Sequence, residues 1–86
     1  MDRYELRDAL LAAGVSPDAF QLADAHEQQP VPPDFWFLRP GDEGWEIGPY
    51  ERGRYKLWRR CPTEAEAVDA LHRILVGRPA GGAGAA

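Results

Sequence analysis

The segment Gly44–Arg60, with the sequence GWEIGPYERGRYKLWRR, decides the fold of this chain. It combines aromatic residues, charges and turn-forming glycines more densely than any other part of the sequence. Such a pattern is typical of two strands joined by a tight reversal. We predict the turn at Glu51–Arg54 and the strand after it at Tyr55–Cys61. The segment holds no catalytic motif, so function has to be inferred from its surfaces.

The residues before this segment predict a first hairpin. Asp34–Arg39 is rich in aromatic residues and is expected to be a strand, and Pro40–Gly44 is a turn that returns the chain into Trp45–Ile47. Gly48 and Pro49 are expected to kink or end the pairing, because proline has no N–H to donate to a ladder. The strand should therefore be bulged there or lie at a sheet edge.

A helix is predicted at each end of the chain. Residues 2–13 place Leu6 and Leu10 on one face, with Asp2 as the N-cap and Gly14 at the end. Near the other terminus, Thr63 and Glu66 have the spacing of a capping box. That box begins a second helix, whose apolar stripe and stop signals are Ala67, Val68, Leu71, Ile74 and Leu75, then Gly77 and Pro79.

Between the helices, Ala19–Leu22 is a short possible strand and Ala23–Pro33 is a proline-rich surface loop. The order α-β-β-β-α predicts an α+β domain of two layers, in which an antiparallel sheet of three to four strands is flanked by the N-terminal and C-terminal helices. We expect a single domain at residues 1–78 and a disordered Gly/Ala-rich tail at residues 79–86.

Composition narrows the class of protein. The 86 residues carry 14 acidic and 10 basic side chains and a net charge of −4, which argues weakly against a nucleic-acid partner. The single Cys61 cannot form an internal disulfide or a cysteine-based zinc cluster. We expect a cytoplasmic protein without a membrane partner, because the sequence shows no signal peptide and no membrane-spanning stretch.

Strand alternation predicts a sheet with large apolar residues on both faces. We expect one set to pack under the helices: Phe35, Phe37, Trp45, Ile47, Tyr55 and Leu57. The other face should hold Trp36, Leu38, Tyr50 and Trp58 among Glu46, Lys56 and Arg60. This second face is either an exposed protein-binding surface or is covered by the loop at residues 23–33.

The sequence contains few residue patterns that are typical of catalytic or metal-binding sites. Asp24, His26 and Glu27 lie close together, but they are better interpreted as a solvated loop than as a metal site. No nucleophile, base or phosphate-binding loop has the required spacing, so we expect no enzyme activity and no cofactor. The basic and aromatic residues at 52–60 permit an alternative function, a small nucleic-acid-binding or regulatory module.

Several short motifs resemble a known family, the small actinobacterial immunity proteins encoded beside polymorphic toxins. The group that the chain is similar to protects against NAD-glycohydrolase toxins of the tuberculosis-necrotizing-toxin type. The resemblance covers about Met1 to Val76 and is carried by Glu5–Val15, Gly44–Ile47, Tyr50–Gly53 and Thr63–Ala67, with Leu71 and Leu75.

The resemblance implies a stoichiometric inhibitor that binds a cognate toxin domain and occludes its active site. A toxin that binds anionic NAD is expected to have a basic site, which an acidic plug with aromatic anchors would complement. The partner-binding residues expected on this basis are Trp36, Asp42, Glu43, Glu46, Tyr50, Glu51 and Trp58. The same face could instead pair with itself in a homodimer.

Overall fold

The computed structural model describes residues 1–77, so the predicted tail at residues 79–86 and Pro79 lie outside the described part of the chain. Both predicted helices and the predicted strands are present. In chain order the elements are α1 (Arg3–Ala12), a 3₁₀ turn (Pro17–Ala19), β1 (Phe20–Leu22), β2 (Asp34–Gly41), β3 (Gly44–Glu51), β4 (Arg54–Tyr55), β5 (Arg59–Cys61) and α2 (Glu64–Leu75).

The five strands form one mixed sheet, which confirms the α+β class with a helix at each end. Strands β2 and β3 form an antiparallel hairpin, and β4 and β5 both pair antiparallel with β3. The sheet is not antiparallel throughout, however, because β1 pairs parallel with β2. The loop at residues 23–33 returns the chain to the end of the sheet where β1 began, which local sequence patterns do not reveal.

The helix caps follow the sequence signals. Asp2 accepts a hydrogen bond from the Glu5 backbone N–H, and the Glu5 side chain accepts one from the Asp2 N–H, so the reciprocal capping box forms at α1. At α2, Thr63 Oγ1 accepts from the Glu66 N–H at 3.2 Å, but the return bond from the Thr63 N–H to the Glu66 side chain is not formed, so only half of the predicted capping box is present. Gly14 has φ +86°, the left-handed conformation expected after α1.

Pairing continues through Gly48 and Pro49, although the sequence predicted that it would kink or end there. On one side of β3, Phe37 pairs with Gly48 and Trp36 with Pro49. On the other side, the Pro49 carbonyl accepts from the Lys56 N–H at 2.9 Å. The missing N–H of Pro49 points to that same side, where the neighbouring strand is irregular between β4 and β5.

The irregular part, residues 56–58, is a β-bulge with one extra residue. Tyr50 pairs with Tyr55 and Trp45 with Cys61, so five steps along β3 correspond to six along the neighbouring strand. Because successive side chains alternate, this one extra residue places Tyr55 and Cys61 on opposite faces of the sheet. The predicted bulge therefore exists, but it lies in the strand opposite Pro49.

Position 48 requires glycine, because the backbone of the bulge passes very close to the Gly48 Cα atom. A Cβ atom at Gly48 would overlap the Lys56 carbonyl oxygen and lie 2.8 Å from the Trp58 nitrogen. We expect Gly48→Ala to lower the free energy of unfolding by about 1–3 kcal/mol, as overpacking does. Urea unfolding monitored by circular dichroism measures this loss. A variant within about 0.5 kcal/mol of the parent chain would contradict the close approach.

The main core lies between the helices and one face of the sheet. It contains Leu6 and Leu10 from α1, Leu71 from α2 and, from the strands, Phe20, Leu22, Leu38, Ile47 and Cys61. Trp36 and Trp45 pack against this cluster and are partly buried. The prediction for Trp45 and Ile47 is confirmed, and the prediction that Trp36 and Leu38 face away from the helices is wrong.

A second apolar cluster occupies the opposite face. Phe35 stacks on Tyr50 at 4.5 Å between ring centroids, and Tyr55 meets Phe37 edge-on at 5.0 Å. The guanidinium of Arg39 lies over both the Phe37 ring, at 4.9 Å, and the Tyr55 ring, at 4.7 Å. The prediction that Phe35, Phe37 and Tyr55 pack under the helices is therefore wrong, because alternation groups side chains but does not say which group the helices cover.

The loop at residues 23–33 is fastened to the helix layer. Arg3 Nη1 donates to the Ala23 carbonyl at 2.8 Å, and Arg7 Nη1 donates to the Ala25 carbonyl at 3.2 Å. Over the second cluster lie the tyrosines and Arg39 themselves, which leave Phe37 only 1% exposed. The sheet face with Phe35 and Phe37 is thus covered by side chains of its own strands, and not by the loop at residues 23–33.

Candidate functional site

The bulge displays the largest exposed apolar side chains of the sheet. Every residue from 51 to 60 is exposed, and within this stretch Leu57 is 49% and Trp58 55% accessible to solvent. A regular strand would turn alternate side chains into the sheet, whereas a bulge redirects them. Exposed aromatic and aliphatic residues gathered on one short segment are typical of a protein-binding surface.

Trp58 borders a groove between the sheet and α2, which we call the tryptophan groove. Trp36 and Trp58 meet edge to face, with ring centroids 5.8 Å apart and an interplanar angle of 86°. The groove has a volume of about 480 Å³, and its lining residues are Trp36, Trp58, Arg59, Ala70, Arg73 and Ile74. The groove runs from the bulge to the C-terminal half of α2. Its surface is mainly apolar, and two arginines lie along it.

The predicted acidic residues do not gather around the tryptophans. Glu46 is held on the opposite face between Arg39, at 3.2 Å, and Arg60, at 3.7 Å, and its side chain is only 16% exposed. Glu51 is exposed and forms an ion pair with Lys56 at 3.0 Å. Both carboxylates are therefore largely neutralised within the chain.

Asp42 and Glu43 form a separate acidic tip. They are exposed in the turn that joins β2 to β3, at the end of β3 opposite to Glu51. Since β3 has eight residues, its two ends lie roughly 24 Å apart at the usual rise of a strand. The acidic residues from 42 to 51 thus do not form one continuous patch, as the sequence had suggested.

Tyr50 belongs to the second cluster, where it is partly buried against Phe35. The seven residues predicted from the sequence therefore lie in separate places: the tryptophan groove, the opposite face and the two ends of β3. Leu57 was predicted to pack under the helices, and this is wrong, because the bulge leaves it 49% exposed. Sequence reasoning also missed the contributions of Arg59 and α2 to the groove. The useful signal was the pair Gly48 and Pro49, because it marks the bulge that brings these side chains together.

Side chains that could bind a metal ion are not clustered in the described residues. No set of three or more His, Cys, Asp or Glu side chains within residues 1–77 is arranged to hold a metal ion. His26 stacks on Phe20 at 4.4 Å, and its Nε2 lies 2.8 Å from the Pro17 carbonyl oxygen. None of the helices in this part of the chain combines the length and the apolar character needed to cross a bilayer.

Comparisons with protein-family models, with curated proteins and with solved structures give no match for this chain. The class of protein defined by the fold and the site is a small α+β domain with an exposed tryptophan groove. Its function must be inferred from that surface.

Proposed function

We propose that this chain is a protein-binding domain of the immunity class, which binds a cognate toxin and occludes its active site. The observation that carries the proposal is the bulge that displays Leu57 and Trp58 beside the tryptophan groove. An exposed tryptophan on an irregular strand leaves a large apolar surface in contact with water, which a small domain would otherwise bury in its core. A partner protein that covers the groove would recover that burial.

A protein partner fits this surface better than a nucleic acid does. Two of the five basic residues at positions 52–60 are already paired within the chain, Lys56 with Glu51 and Arg60 with Glu46. The two tryptophan rings stand nearly perpendicular, whereas bases stack on parallel aromatic platforms. The net charge of −4 also disfavours a nucleic-acid partner.

The resemblance to immunity proteins of NAD-glycohydrolase toxins supplies the kind of partner. A toxin of that class degrades NAD, and its inhibitor would act in the cytoplasm. The exposed acidic tip at Asp42 and Glu43 is the part of the surface that complements a basic NAD-binding site. The groove and the tip together would then contact the toxin, the groove through apolar burial and the tip through charge.

Co-expression tests this proposal. The product of the gene adjacent to this chain's gene is expressed in bacteria with and without the chain, and cellular NAD and survival are measured. We expect the chain to preserve NAD and to copurify with the toxin in equal amounts. Equal loss of NAD in the presence and absence of the chain would overturn the proposal.

A further inference from the structure

The tryptophan groove is apolar at its floor and positively charged at its rim. Trp36, Trp58 and Ile74 supply large apolar surfaces, and Arg59 and Arg73 are the charged residues of its lining. Both arginines are exposed. In a chain with a net charge of −4, this combination makes the groove a local exception to the overall acidity.

The two arginines are available to a partner. Within residues 1–77, no carboxylate lies at ion-pair distance from Arg59, whereas Lys56 and Arg60 of the same segment are paired with Glu51 and Glu46. Arg73 forms an ion pair with Asp69 at 3.3 Å, one helical turn away, and both side chains are mostly exposed. Exposed pairs of this kind contribute little to stability, so Arg73 can exchange Asp69 for another carboxylate.

We propose that the groove binds an acidic segment of the partner protein through one large apolar side chain and the carboxylates beside it. The apolar anchor packs on the joined surface of the Trp36 and Trp58 rings, which contact each other, and against Ile74. The carboxylates bind the guanidinium groups of Arg59 and Arg73, whose planar fork matches a carboxylate. The partner's identity as a toxin rests on the function proposed above, while the chemistry of the segment follows from the groove itself.

Charge complementarity selects this occupant. A basic segment would place its cations against Arg59 and Arg73, and like charges at an interface are unfavourable. A basic surface is instead complemented by the acidic tip, Asp42 and Glu43, which lies in the turn between β2 and β3 rather than in the groove. The chain thus has two surfaces of opposite charge for two different parts of one partner.

Synthetic peptides test the groove without the toxin. The probe is a short acidic peptide in which Glu residues flank a Phe and a Leu, and its matched control carries Lys in place of every Glu. Binding to the full chain is measured by calorimetry and by tryptophan emission. We expect the acidic peptide to bind at least about tenfold more tightly than the basic one, with the difference shrinking as salt rises.

Charge reversal locates the binding. The double variant Arg59→Glu with Arg73→Glu should weaken binding of the acidic peptide by about tenfold, because it replaces two attractions with two repulsions. The matched double variant Arg52→Glu with Arg54→Glu has the same net charge but alters the far end of the strand, and it should change binding by less than about threefold. The inference is overturned if both double variants weaken binding of the acidic peptide equally, or if the acidic peptide does not bind at all. It is also overturned if the basic peptide or a single-stranded oligonucleotide binds more tightly than the acidic peptide.

The outcomes separate this inference from the proposed function. If the chain binds the acidic peptide in the groove but does not preserve NAD in co-expression, the inference stands and the immunity function fails. If the chain inhibits the toxin and charge reversal at Arg59 and Arg73 leaves the toxin affinity unchanged, the immunity function stands and the inference fails.

Discussion

Replacing Phe37 by alanine is expected to lower the free energy of unfolding by about 3–5 kcal/mol. Phe37 is 1% exposed, and the Tyr55 ring and the Arg39 guanidinium both cover it. Its neighbour across the ladder is Gly48, which has no side chain to move into the space. The cavity would therefore persist, and a domain of this size has only about 5–10 kcal/mol of stability to lose.

The measurement is urea unfolding followed by circular dichroism, with Leu57→Ala as the control. Leu57 is also a large apolar residue of the sheet, but it is 49% exposed, so its truncation should change stability by less than about 1 kcal/mol. A loss for Leu57→Ala as large as that for Phe37→Ala would contradict the exposure of Leu57, and small losses in both variants would show that the face opposite the helices is not a core. A loss below about 1 kcal/mol for Phe37→Ala would show the same.

This prediction depends on which face the helices cover, a fact that the sequence does not contain. Phe35 and Phe37 alternate with Trp36 and Leu38, and the two pairs are equally apolar. Period-two alternation correctly groups each pair, but the choice between faces is made by the helices, through contacts that are distant in sequence. The helices select the face with Leu38 and Ile47, and the tyrosines close the other.

Local signals were sufficient where the interactions are local. The cap at Asp2, the left-handed Gly14, the start of α2 after Thr63 and the hairpin turns could all be predicted from a few neighbouring residues. The turn between β3 and β4 has positive φ at both Arg52 and Gly53, as a type I′ hairpin turn requires. The parallel pairing of β1 was not predictable in this way, because it depends on how the loop at residues 23–33 crosses the sheet.

The candidate site was predicted in part for a similar reason. Trp36 and Trp58 were recognised as members of one surface, and they do meet. Alternation without the bulge placed them with Tyr50 and Glu46, which lie on the other face. A single extra residue among 56–58 changes the face of everything after it, and residue types alone do not locate such an insertion within two or three positions.

Trp58→Ala is expected to weaken binding of the toxin domain by about 2 kcal/mol or more, roughly thirtyfold, and to leave the fold intact. Trp58 is 55% exposed, so most of its apolar surface contributes nothing to the folded monomer and becomes buried only with a partner. Its main aromatic neighbour, Trp36, packs against the helix-side core and would stay in place. The loss in unfolding free energy should remain below about 1 kcal/mol.

Trp36→Ala is the matched comparison, since it removes the same side chain from the other wall of the groove. It should weaken binding too, but it should also cost about 3 kcal/mol of stability, because Trp36 packs on the buried cluster that contains Leu38. Calorimetric titration with the toxin domain and urea unfolding of both variants measure the two effects separately.

Equal destabilisation by the two substitutions would show that Trp58 is a core residue. Full toxin affinity in Trp58→Ala would show that the groove is not part of the interface. Weaker binding in both variants, with a large loss of stability only in Trp36→Ala, is the result that a groove formed by one structural and one exposed tryptophan requires.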